Sequence, residues 1–264
     1  MLLGGIHMNK FLVVNLIKQA IEADKAGNYI KAKNAYQELY DLFKCELGEK
    51  HLTTLKVLNY LASFYYDLGD YNKACELQNV VYNARKEILG EKHPNTLNAL
   101  NNLASSYSSL GDYNKACELQ NVVYNARKEI LGEKHPDTLN SLNNLANSYS
   151  YLGDYNKACE LQNVVYNARK EILGEKHPNT LTSLNNLASS YYDLGDYNKA
   201  CELQNVVYNA SKEILGEKHP NTLNALNNLA SSYSGLGDYN KACELQNVVY
   251  NARKEILGEK HPNT

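Results

Sequence analysis

Between residues 97 and 110, Leu97, Leu100, Leu103, Ala104, Tyr107 and Leu110 recur at steps of three or four, the spacing that lines one face of an α-helix. Gly111-Asp112 interrupts the pattern. A second helical period follows, with Tyr113, Ala116, Val123, Ile130 and Leu131 on one face, widened by Leu119, Val122 and Ala126. Pro94 suits the first turn of the first helix, where its missing N–H costs nothing. Asp112 is placed to cap the second helix, and Gly132 to end it in a left-handed conformation. The pair reads as an antiparallel helical hairpin.

The hairpin recurs every 42 residues. The segment 93–134 returns at His135, His177 and His219, and a looser copy starts at His51 with Leu52 in place of proline. A divergent copy fits residues 9–50, where Gly27-Asn28-Tyr29 matches Gly69-Asp70-Tyr71. The predicted organisation is therefore a flexible leader over 1–8, a divergent repeat over 9–50, repeats over 51–92, 93–134, 135–176, 177–218 and 219–260, and the start of a further repeat at 261–264. A hairpin with two broad apolar faces cannot bury them by itself, so successive units must stack.

The run from Leu100 to Gln120, with Leu103-Ala104, Tyr107, Gly111, Tyr113 and Ala116 at these spacings, resembles the tetratricopeptide repeat. The 42-residue period and the linker LGEKHPNTL are similar to the kinesin-light-chain class of that repeat. The resemblance implies an all-α fold, a right-handed superhelical solenoid of antiparallel helix pairs. It also implies a concave groove, lined by the first helix of each pair, that holds extended or helical peptides.

The opposite side of the first helix is polar. Asn98, Asn102, Ser105 and Ser109 share it, flanked by Asn101 and Ser108, and stacking would align these faces into a stripe. Asparagine offers both donors and acceptors, which suits a ladder that holds a peptide backbone. The expected groove comprises Asn98, Asn101, Asn102, Ser105, Asn140, Asn143, Asn144, Asn147, Tyr151, Asn185, Asn186, Tyr192, Asp193, Asn224, Asn227 and Asn228. Against the copy at 93, the next three carry four, five and one substitutions; of these ten, eight fall on the first helix, and Ser211 alters the second. Tyr151 and Tyr192 are the expected aromatic anchors of a partner. Clamps for acidic peptides need lysine or arginine in the groove, and only Lys56 approaches it, so a neutral or polar peptide is expected.

Composition narrows the remaining classes. A net charge of −2 leaves no basic excess for nucleic acid or an anionic membrane. Charges such as Glu118, Arg127, Lys128 and Glu129 read as a solvated face. The apolar run Phe11–Val14 is too short for a signal peptide or a membrane span, and Leu12, Leu16, Ala20 and Ala23 read as a helix face. A cytoplasmic location is the default, with Met1 or Met8 as the start.

His51, His93, His135, His177, His219 and His261 recur once per repeat, and Cys75, Cys117, Cys159, Cys201 and Cys243 do the same. Equivalent positions in stacked hairpins lie about 10 Å apart, too far to share a metal or a disulfide. Helix-entry histidines and small reduced thiols are expected, Cys45 having no catalytic partner. No nucleotide-binding loop, nucleophile elbow or metalloprotease motif occurs, so no enzyme, cofactor or metal is expected. Gln78, Gln120, Gln162, Gln204 and Gln246 fall on the apolar face and should find backbone or tyrosine partners. Two functions follow: a scaffold for a peptide in the groove, or a structural or sensor segment of a larger protein such as a signalling ATPase. The last second helix, with Val249, Ile256 and Leu257 and no capping helix after it, suggests head-to-tail self-association.

Overall fold

The computed structural model describes residues 10–258, without the Leu257 side chain. The leader at 1–8, the first residue of the divergent repeat, and 261–264 with His261 lie outside the described residues. Twelve helices and no strand are present among the described residues. They are α1 (Lys10–Lys25), α2 (Tyr29–Leu47), α3 (Leu52–Asp67), α4 (Tyr71–Leu89), α5 (Pro94–Ser109), α6 (Tyr113–Leu131), α7 (Pro136–Tyr151), α8 (Tyr155–Leu173), α9 (Pro178–Leu194), α10 (Tyr197–Leu215), α11 (Pro220–Gly235) and α12 (Tyr239–Leu257). The chain divides into two compact units, 1–130 and 131–264, with the division at the end of α6. In the first, α1 to α5 each pack on the helix that follows or precedes in sequence; in the second, α7 to α12 do the same. Each is an all-α stack of helix pairs.

The repeated linker sets every boundary. His93 caps α5, its Nδ1 accepting from the Asn95 N–H at 3.1 Å, and His51, His135, His177 and His219 cap α3, α7, α9 and α11 in the same way. An Nδ1 that accepts carries no proton, so the ring proton sits on Nε2. Proline fills the first helical turn of α5, α7, α9 and α11. The Asp112 carboxylate accepts from the Lys115 N–H at 3.1 Å and caps α6. The second helices end differently from the expected left-handed cap. Gly90 sits at φ 92°, ψ 160°, and Gly174 at φ 88°, ψ 161°, an extended mirror region open essentially to glycine alone.

Burial follows the leucine pattern with three corrections. Leu97, Leu100, Leu103 and Ala104 are buried, but Leu110 is the exposed C-cap of α5. On α6 only Ala116, Cys117, Gln120 and Val123 are buried; Val122, Ile130 and Leu131 are exposed, so that face is a narrow strip. On α1 the buried residue is Val13 rather than Leu12, beside Leu16, Ala20 and Ala23. Tyrosines complete each core from its rim: Tyr166, Tyr191 and Tyr208 pack against Leu184, Leu187, Val207 and Ala225.

Candidate functional site

Stacking places the polar stripes of successive first helices side by side. In the second unit α7 touches α9, and α9 touches α11. The asparagines meet in register across repeats. The Asn186 amide donates to the Asn143 carbonyl oxygen at 2.8 Å, and Asn228 donates to Asn185 at 2.9 Å. In the first unit Asn102 donates to Asn59 at 3.4 Å. Each such bond uses one donor of one side chain and one acceptor of the other, and each side chain has two of each. Asn101, Asn102, Ser105, Asn143, Asn144, Asn185, Asn186, Asn227 and Asn228 remain half-buried, while Asn98, Asn140, Asn147, Asn224 and Asp193 are exposed.

The second helices reach the same stripe through an arginine. Arg127 donates to the Asn98 side chain at 2.6 Å, Arg169 to Asn140 at 2.6 Å and Arg253 to Asn224 at 2.8 Å. Arg169 also donates to the Asn179 carbonyl at 3.3 Å and the Ser183 hydroxyl at 2.8 Å, both on the next first helix. Arg85 reaches the Asn95 carbonyl at 3.1 Å. The solvated face expected for Arg127 is therefore corrected. These arginines are inter-helix pins, and burial lowers the pKa of Arg85 and Arg169 from the usual guanidinium value. A cleft of about 640 Å³ on the first unit is bordered by Lys56, Asn59, Tyr60, Arg85, Asn98 and Asn102. The cation supply of the stripe is thus larger than Lys56 alone.

Five of the ten departures between copies answer to a neighbour. Asn147 accepts from the buried Gln162 amide at 3.0 Å, and Ser183 receives Arg169. Asp193 accepts from Ser150 at 2.9 Å. Gly235 lies under the Tyr197 ring, where a Cβ would come within 2.5 Å of the ring edge. Tyr192 stands edge-on to that same Tyr197 at 5.1 Å. Tyr151, 61% exposed at the end of α7, is the most open aromatic of the stripe.

Two of the buried glutamines take side-chain partners instead of the backbone or tyrosine partners expected, while the buried amide oxygens of Gln78, Gln120 and Gln162 meet no hydrogen-bond donor. Gln162 donates to Asn147, and Gln204 accepts from the Ser232 hydroxyl at 2.5 Å. Gln246 is exposed. All six cysteines are free, and Cys45 and Cys243 are exposed. Burial, with Asp193 and Asp196 adding, pushes the Cys159 thiol up to about 11. Among the described residues no cluster of histidine, cysteine and carboxylate side chains could hold a metal, and no helix is long and apolar enough to cross a membrane.

The tetratricopeptide repeat family matches the sequence at residues 53–129, 99–171, 149–213 and 179–255. No curated protein matches it. The fold is similar to a kinesin light chain-like protein of Podosopora anserina with nearly identical TPR-like repeats, at 29% identity and a TM-score of 0.70, over 78% of this chain and 98% of that one. It is similar to BtubC (BKLC) from P. vanneervenii at 20% identity and a TM-score of 0.66, over 97% and 94% of the two chains. NprR in complex with its cognate peptide NprX aligns at 17% identity and a TM-score of 0.60, over 95% and 69%.

Proposed function

We propose a function on one premise: the chain belongs to the tetratricopeptide repeat family. The array is a non-catalytic scaffold that holds an extended or helical peptide against its first-helix face. The observation that carries this reading is the alignment of Asn143, Asn185, Asn186 and Asn228 along α7, α9 and α11, half-buried and bonded to one another in register. Tyr151 and Tyr192, both exposed, supply rigid aromatic area of the kind that anchors a partner. That NprR, a protein of this fold, was captured with a peptide supports the reading through the fold. The stripe's own arginines are engaged by asparagine and carbonyl oxygens, and the preferred peptide is polar rather than strongly acidic. Free thiols throughout fit a reducing, cytoplasmic setting.

Photocrosslinking tests the site. A benzophenone amino acid placed at Tyr151 or Tyr192 should capture a peptide segment, and the same probe at Val164 or Ile172, on the outer side of α8, should not. Capture at the outer positions alone overturns the reading.

A second reading rests on the two terminal helices. Phe11, Val14, Ile17 and Ile21 are exposed on α1, and Val248, Tyr250 and Ile256 on α12. Head-to-tail association of chains would cover both sets. Sedimentation that shows a monomer at about 100 μM would end that reading and leave the first intact.

A further inference from the structure

The arginine that pins each junction has no counterpart in the repeat 177–218, where Ser211 stands in its register. Its partner changes in the same repeat: the register of Asn98, Asn140 and Asn224 holds Thr182. In the repeats that start at 93, 135 and 219 those two positions are the ends of one hydrogen bond, Arg127 to Asn98, Arg169 to Asn140 and Arg253 to Asn224. Both ends of the pin are therefore lost together. What remains between α9, α10 and α11 is a cleft of about 230 Å³.

The surrounding core registers the loss. Leu181 is 8% exposed where Leu97, Leu139 and Leu223 are 3%. Val207 is 5% exposed where Val81, Val123 and Val165 are fully buried. The frame around the gap is otherwise unchanged, since His219 caps α11 at 3.2 Å as its copies cap theirs. At the preceding junction the equivalent space is taken by the Arg169 side chain.

We propose that this cleft binds a guanidinium group, the arginine side chain of the peptide held on the first-helix face; the inference rests on that reading. Leu181, Val207 and Ala225 line the space for the methylene stem. The Asn221 carbonyl stands in the register of the Asn179 carbonyl that accepts from Arg169. Thr182 donates its own hydroxyl proton to the Pro178 carbonyl at 3.0 Å, which leaves its oxygen as an acceptor in the register of the Asn140 oxygen. Two separate acceptors suit a planar fork of several N–H donors better than the point charge of lysine. Lys176 borders the cleft, but its ammonium is held by Glu213 at 2.5 Å. Asn185 and Asn228 of the stripe border the same cleft, so a backbone lying along them would place a side chain at its mouth.

The test is a titration of the full chain followed by NMR of the methyl groups of Val207 and Ala225. Ethylguanidinium should shift them saturably, with a midpoint at least tenfold below that of ethylammonium. The shifts should vanish in S211R, whose own guanidinium occupies the site. R169S should open a second, equivalent site reported by Val165. The blocked tripeptide acetyl-Gly-Arg-Gly-amide should bind at least threefold more tightly than ethylguanidinium, because its backbone reaches the asparagines. Equal response to both cations, shifts that persist in S211R, binding by R169S at its new site only, or a tripeptide weaker than the free cation would each overturn the proposal. Failure of the titration with crosslinking intact at Tyr151 removes the pocket and spares the groove; the reverse result removes the groove.

Discussion

The junction after α8 and the junction after α10 are built from the same linker, the same capped helices and the same leucine pattern, yet one is closed and the other open. At the first, Arg169 ties α8 to Asn140 on α7 and to Asn179 and Ser183 on α9. At the second, Ser211 and Thr182 leave a cleft, and the neighbouring Leu181 and Val207 gain exposure. Because the backbone frames match, a pair of side chains accounts for the difference. Near-identical repeats thus need not give identical junctions: one side chain that spans three helices sets the tightness of each.

The largest expected effect breaks the closed junction. R169A removes a half-buried guanidinium and leaves the Ser183 hydroxyl, the Asn140 amide and the Asn179 carbonyl without it. Hydrogen bonds to a charged group contribute about 1.5–3 kcal/mol, so destabilisation of about 2–3 kcal/mol is expected, read as faster hydrogen exchange over the first turns of α9. S211A at the open junction should change exchange over α11 by less than about 0.5 kcal/mol. Similar losses at both junctions would show that the arginine is not what distinguishes them.

Closing the open junction is the converse and smaller change. S211R with T182N restores the arrangement seen at Arg253 and Asn224. The pair should stabilise by about 1 kcal/mol, with a coupling between the two substitutions of about 0.5–1 kcal/mol measured in a double-mutant cycle. Additive single effects would mean that the two positions do not communicate. A control keeps the comparison sharp. The His177 and His219 caps have the same geometry, at 3.1 and 3.2 Å, so H177A and H219A should each cost about 1 kcal/mol and agree with one another.

The fold was legible because a 42-residue period, repeated in register, leaves little freedom in where helices begin and end. Pro94, Asp112 and Gly132 each mark a boundary by local chemistry, and local chemistry survives in the folded state. The narrowness of the second-helix strip was not legible. Val122, Ile130 and Leu131 satisfy helical spacing, but which side of a helix faces its neighbours depends on how that helix is rolled, a property of the whole stack. The arginine pins were hidden for the same reason, since Arg127 and Asn98 are 29 residues apart. A signal was nonetheless present: Thr182 and Ser211 change together in one repeat while those positions keep asparagine and arginine in the copies at 93, 135 and 219. The candidate groove was legible as a polar face. Its asparagines prove to bind one another across repeats as well, which gives them a structural duty that composition could not reveal.

The finest difference between the two junctions lies in their thiols. Cys159 and Cys201 occupy the same register, and burial raises both. At Cys159 the carboxylates of Asp193 and Asp196 add to that burial, and the thiol reaches about 11. At the open junction the register of Asp193 holds Gly235, which brings no charge. A thiol held protonated by the fold contributes stability that is fully present below the unfolded cysteine value of about 8.5. That contribution falls away as pH rises from there towards 11 at Cys159. Alkylation by iodoacetamide, followed site by site with mass spectrometry between pH 8 and 11, should therefore modify Cys201 several-fold faster than Cys159. D193N should narrow the gap by removing the nearer carboxylate charge while leaving burial in place. If D193N leaves the Cys159 rate unchanged, burial alone sets that thiol, and the two junctions differ there only in packing.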